Sequence, residues 1–134
     1  MVTISIAYQG DLHCVATHGP SSTELTTDAP ADNGGKAESF SPTDLVATAL
    51  GTCVVTIMGL RAKALDVDIG GTTATVDKEM RSGPRMIARL TTRVRVPHDL
   101  PQEVREDLER AAHSCPVHQS LSEKIEKPIE FTWG

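Results

Sequence analysis

The chain's natural nucleophiles are its three cysteines, Cys14, Cys53 and Cys115. A thiolate attacks peroxides and disulfides and binds soft metals. Cys53 falls inside a long apolar segment, on a helical face with Val46, Ala49, Leu50, Ile57 and Leu60. Free cysteine is among the most buried residue types, so an inert core side chain and a buried nucleophile both fit that position. Cys115 stands directly before Pro116, where one helical pattern stops and another can start. Capping the next helix would favour its thiolate through the helix N-terminus. Finishing the preceding apolar stripe would give it no such role. Cys14 sits mid-strand with no companion motif and reads as structural.

Other chemistries find less support. His113-Ser-Cys115-Pro-Val-His118 offers three potential ligands, and Cys53 would make a fourth. The spacing lacks the paired Cys-x-x-Cys or His-x₃₋₅-His units of zinc sites, so no metal is expected. No Gly-x-Ser-x-Gly elbow is present to suggest a serine hydrolase. The glycine pairs Gly70-Gly71 and Gly34-Gly35 read as turns rather than a phosphate cradle. With 134 residues the chain fits one domain, and its net charge of -5 argues against a general nucleic-acid binder. Arg81, Arg85, Arg89, Arg93 and Arg95 nevertheless form a local basic band. Three cysteines cannot close a full intrachain disulfide framework. The start Met1-Val-Thr-Ile-Ser has no charged leader followed by an apolar run. The apolar run from Leu45 to Leu60 is shorter than the roughly 20 residues of a membrane span. A cytoplasmic protein without a membrane segment is expected.

The elements that must position these thiols are legible as periodicities. Val2, Ile4, Ile6 and Tyr8 alternate as a strand, Gln9-Gly10-Asp11 turns, and Leu12 to Thr17 returns as a hairpin partner. A third strand fits 22–28, and 29–36 is loop by composition. Ser41 as N-cap, Pro42 at the first helical position and Asp44 three residues after the cap predict a helix over 42–64. Arg61 and Lys63 fall in its last turn. Period-two alternation predicts strands near 72–80 and 86–96, ended by Pro97. Val104, Leu108, Ala111, Ala112 and Cys115 share one face of a second helix. Pro116 starts a short third helix, and Ile129, Phe131 and Trp133 alternate as a last strand. The order β-β-β-α-β-β-α-α-β predicts an α+β fold. The helix over 42–64 is apolar nearly all round and needs more cover than one small sheet supplies. An obligate homodimer burying more than about 2,000 Å² is therefore expected.

Two segments carry a family resemblance. Phe40-Ser-Pro-Thr-Asp-Leu-Val-Ala-Thr-Ala-Leu-Gly-Thr-Cys53 resembles the first-cysteine helix of the OsmC/Ohr family, the osmotically inducible and organic-hydroperoxide-resistance proteins. Ala112-His-Ser-Cys115-Pro-Val-His-Gln-Ser-Leu121 resembles the family's second-cysteine segment. The resemblance implies one OsmC-like domain over 1–134, with antiparallel sheets, a buried central helix and an intertwined homodimer. It implies a thiol-dependent peroxidase in which Cys53 attacks a hydroperoxide and Cys115 resolves the sulfenic acid as a disulfide. No cofactor is implied. The partners would be a peroxide substrate and a dithiol reductant, for which a lipoyl-type dithiol is the candidate. Capture of the sulfenic acid by a nearby thiol prevents irreversible over-oxidation.

The sequence departs from the family's peroxidases at two points. The family's glutamate ten residues before the first cysteine is Thr43 here, and no arginine precedes Arg61. The supporting charges are then sought at Lys36, Glu38 and Arg85. These departures fit an OsmC-like branch. They leave a competing reading, a redox sensor or small-ligand binder that keeps the fold without turnover.

Overall fold

A computed structural model describes residues 1–134, which form two compact units, Met1–Val46 and Ala47–Gly134. In the first unit, β1 (Ile4–Tyr8), β2 (His13–His18) and β3 (Glu24–Asp28) form an antiparallel sheet in the order β1-β2-β3. Register pairs Ile6 with Ala16, and Ala16 with Leu25, so these side chains share one face. That face is open in the chain: Ile6 and Tyr8 are each 65% exposed. At the β3 end, His13 Nδ1 meets Asp28 Oδ1 at 2.7 Å across the strand pair, and Asp28 is buried. A 3₁₀ turn at Ala31–Asn33 follows.

α1 (Pro42–Ala64) begins with the reciprocal cap that the sequence predicts. The Asp44 backbone N–H donates to Ser41 Oγ at 3.1 Å, and the Ser41 N–H donates to Asp44 Oδ2 at 2.9 Å. The shorter Asp thus does what Glu does in the usual capping box. Thr52 returns its hydroxyl to the Thr48 carbonyl one turn back at 2.8 Å.

Most of α1 belongs to the second unit. β4 (Thr73–Arg81), β5 (Met86–Val96) and β6 (Ile129–Trp133) make its sheet in the order β4-β5-β6. α2 (Gln102–His113) and α3 (Pro116–Ser120) lie between β5 and β6 in the chain. The expected antiparallel pairing holds for β1–β3 and for β4 with β5, whereas β6 joins parallel to β5. The route through α2 and α3 is a helical crossover, which returns the chain in the same direction. A bulge at Glu79/Met80 shifts the β4–β5 register. Strict alternation would put Ile87 on the same face as Arg89, and the bulge carries it into the core instead.

One stripe of α1 is buried: Ala47, Leu50, Gly51, Val54, Met58 and Ala62. At Gly51 the absence of a side chain permits close approach to β4, since a Cβ there would stand 2.8 Å from Val76 Cγ2. Leu90, Val94 and Val96 of β5 and Leu108 and Ala112 of α2 complete the core. The opposite face of α1, with Thr52, Thr56 and Leu60, is exposed. The helix is therefore covered on one side within the chain, not buried all round. α1 runs on past Leu60 to 23 residues, and with a mean hydropathy of 1.7 it is long and apolar enough to cross a membrane by length and composition. Its fully buried Leu50, Val54 and Met58 serve instead as the core stripe of a folded domain.

Candidate active site: the Cys53–Cys115 pair

Two elements of the second unit deliver the thiols. α1 carries Cys53 at the edge of its buried stripe, where the side chain is half-buried. α2 stops at its C-cap Ser114, and Cys115 begins α3 with φ -61° and ψ 140°. Pro116 cannot extend α2 but suits the first position of α3. The junction turns Cys115 into the core, where its exposure is 0%. Both cysteines are free thiols, and Cys53 is near enough to Cys115 to bear on its ionisation.

Cys115 does cap α3: its Sγ accepts the His118 backbone N–H at 3.3 Å. The sequence reading had such a cap favouring the thiolate, and the outcome differs. Burial outweighs the N–H donors of His118 and Val117, and the neighbouring Cys53 adds to it, so the Cys115 thiol is pushed up and holds its proton. A short helix end offers a few partial charges, whereas full desolvation acts on the whole thiolate.

His118 is the group that sequence reasoning passed over as a plain polar residue. It lies in α3 with its ring half-buried, and its Nε2 is buried without a partner. Burial holds its pKa below the ordinary imidazole value, and the charges of Lys127 and His113 push the same way. The His113 ring stands edge-on to it, with centroids 5.9 Å apart. The signal in the sequence was its position three residues after Cys115, the N–H that an N-cap binds. His113, Cys115, His118 and Cys53 do not converge as a metal-ligand cluster.

The remaining predicted residues stand on other elements of the chain. Lys36 and Glu38 are exposed on the segment between the 3₁₀ turn and α1, in the first compact unit. Arg85 is exposed beside the turn that joins β4 to β5. Cys14 is half-buried in β2, opposite Tyr8 and Thr27. Two arginines of the basic band serve the sheet. Arg89 pairs with Glu126 and Glu79, and Arg93 pairs with Asp77 and Glu130, two ladders that lace all or part of the sheet on its exposed face.

Comparison with known proteins places this geometry. Residues 34–130 match the family profile described as OsmC-like protein. An osmotic-stress-induced and detoxification-response protein from Psychrobacter arcticus 273-4 superposes with a TM-score of 0.93 at 40% identity, over 98% of this chain and 96% of that one. An organic hydroperoxide resistance protein OsmC from Legionella pneumophila gives a TM-score of 0.81 at 14% identity, over 98% and 96%. OhrB, the organic hydroperoxide resistance protein of Bacillus subtilis, gives 0.73 at 19% identity, over 98% of each chain. The latter two share the fold. No match is found among curated proteins. The chain belongs to the OsmC-like protein family.

Proposed function

We propose that the protein is a thiol-dependent peroxidase that reduces hydroperoxides, organic ones among them. The observation that carries this reading is the nearness of Cys53 and Cys115, far apart in sequence, as free thiols close enough for Cys53 to push the Cys115 thiol up. The Cys53 sulfur attacks the outer peroxide oxygen, the O–O bond breaks, and the alkoxide takes a proton from water. The Cys115 sulfur then attacks the Cys53 sulfenic acid. An S–S bond forms, the S–O bond breaks, and water leaves. A dithiol reductant, for which a lipoyl-type dithiol is the candidate, resets the pair. Lys36, Glu38 and Arg85 are the charged side chains offered as support for the attack.

The exposed apolar face of β1–β3, with Ile4 at 55% and Leu25 at 45%, and the uncovered side of α1 support a homodimer as the working state. The functional unit is read as a single domain over 1–134, acting in the cytoplasm. The second reading, a sensor or small-ligand binder, keeps the same disulfide and lacks turnover. Peroxide consumption with a dithiol, measured for wild type, Cys53→Ser and Cys115→Ser, separates the two. Turnover lost in both variants supports the peroxidase. Stoichiometric oxidation without turnover, whatever dithiol is supplied, supports the sensor.

A further inference from the structure

The β2–β3 hairpin brings a base to a nucleophile. His18 ends β2, and the turn 19–23 returns the chain to Glu24 of β3. The His18 ring Nδ1 stands 2.6 Å from Ser21 Oγ. Ser21 Oγ also donates to Thr23 Oγ1 at 2.9 Å and accepts the Thr23 backbone N–H at 3.3 Å. The serine hydroxyl thus has one proton, two acceptors in reach and one donor on its oxygen. The shorter contact is to the ring, and a neutral imidazole with its proton on Nε2 accepts there. All three side chains are exposed, and the last cross-strand pairs, Ile4 with His18 and Thr17 with Glu24, leave the turn beyond the sheet.

The turn is pinned from several sides. The His18 N–H donates to the Thr23 carbonyl at 2.8 Å, and the Ser22 N–H to the His18 carbonyl at 2.7 Å. The Gly19 N–H donates to the Thr3 carbonyl at 2.9 Å, and a Cβ at Gly19 would stand 2.6 Å from that oxygen. Pro20 fixes a further dihedral. Ser22 takes a φ of 60°, a left-handed conformation that a non-glycine residue keeps only when its surroundings impose it.

We propose that His18 and Ser21 form an acyl-accepting pair, a covalent modification site for activated acyl donors of the thioester and aryl-ester class. Ser21 Oγ attacks the donor's carbonyl carbon and forms a C–O bond while its proton passes to His18 Nδ1. The bond from that carbon to the leaving sulfur or oxygen then breaks, and the leaving group takes the proton from the imidazolium. Nothing is oxidised or reduced, and the ring ends neutral. The Thr23 N–H steadies the serine oxygen as its proton departs. The pinned turn holds base and nucleophile in reach before any donor arrives, which raises the effective concentration of the base. Ser21 and Ser22 are chemically alike neighbours, and the imidazole stands on the oxygen of Ser21. Selectivity between the two is therefore the mark of the pair. The site uses no thiol and holds whether or not the protein reduces peroxides.

The probe is p-nitrophenyl acetate, applied to the full chain in mildly alkaline buffer. Acetyl groups are located by mass spectrometry with fragmentation across residues 12–24, so those on cysteines are read separately. Ser21 is expected to be acetylated at least about tenfold faster than Ser22. His18→Gln keeps a hydrogen-bonding side chain and removes the base. It is expected to slow Ser21 about a hundredfold, the lower end of general-base catalysis, and to leave Ser22 unchanged. Equal labelling of Ser21 and Ser22 in the wild type overturns the proposal, as does an unchanged Ser21 rate in His18→Gln. So does an acetyl group resting on His18 with none on Ser21. Free imidazole added to His18→Ala is expected to restore part of the lead of Ser21 over Ser22, which a merely disturbed turn would not allow. No recovery with imidazole removes the base role and the proposal with it.

Discussion

Arg61 grips both carboxylate oxygens of Asp107, with Nε to Oδ1 at 2.6 Å and Nη2 to Oδ2 at 2.9 Å. This fork joins α1, which carries Cys53, to α2, which ends beside Cys115. Two parallel bonds fix orientation as well as distance, which a point charge cannot do. The hydrogen bonds from Arg61 hold the Asp107 carboxyl below its ordinary range, so the fork persists into mild acid.

Arg61→Lys keeps the charge and removes the fork. We expect disulfide formation between Cys53 and Cys115 after a peroxide pulse to slow about threefold, since small misplacements of reacting groups are costly. The fold is expected to survive, because exposed ion pairs contribute little to stability. Stopped-flow measurement of thiol loss is the check. An unchanged rate would mean that core packing alone sets the approach of the two helices.

The helix ends that position Cys53 and Cys115 were legible through two different signals. Ser41, Pro42 and Asp44 marked the start of α1, and Pro116 marked the break that turns Cys115 inward; both are local effects of backbone chemistry. The fork was not legible, because nothing in the spacing of Arg61 and Asp107 says that their helices meet. The bulge that buries Ile87 was hidden for a similar reason: a register shift depends on the partner strand, not on the strand itself. The direction in which Cys115 moves was misjudged from its cap, because burial depth is a property of the finished core. The His13–Asp28 pair was also missed, since cross-strand register brings together residues that show no pattern in the chain.

His118 makes stability depend on pH in a predictable sense. Its folded pKa lies below the unfolded value of about 6.5, chiefly through burial. Above that unfolded value both states are neutral and the group's contribution is fully present. As pH falls below it, the unfolded chain takes up a proton that the folded protein resists, and stability is lost down through the lowered folded value. The melting temperature is expected to fall between pH 7 and pH 5. His118→Gln should flatten part of that slope while leaving the backbone N–H to Cys115 in place. Thermal melts across the range, wild type against variant, decide it; identical slopes would remove His118 as the cause.

Oxidation should loosen α3. In the reduced protein the Cys115 sulfur accepts the His118 N–H, and α3 has only five residues, so one cap is a large part of what fixes its first turn. A disulfide to Cys53 turns the same sulfur toward α1 and makes it a weaker acceptor, leaving the His118 N–H without its partner. Loss of a cap costs about 1 kcal/mol, which corresponds to about fivefold faster amide exchange. We therefore expect the amides of 117–120 to exchange about fivefold faster in the disulfide form, with α2 little changed. Reduced Cys115→Ala should reproduce the effect without any oxidation, which separates loss of the cap from strain in the bridge. Hydrogen–deuterium exchange on the reduced, oxidised and variant proteins provides the measurement. Equal protection of α3 in all three would show that its hold comes from elsewhere, with the Lys127 ammonium on the carbonyls of Ser122 and Ile125 as the nearest alternative anchor.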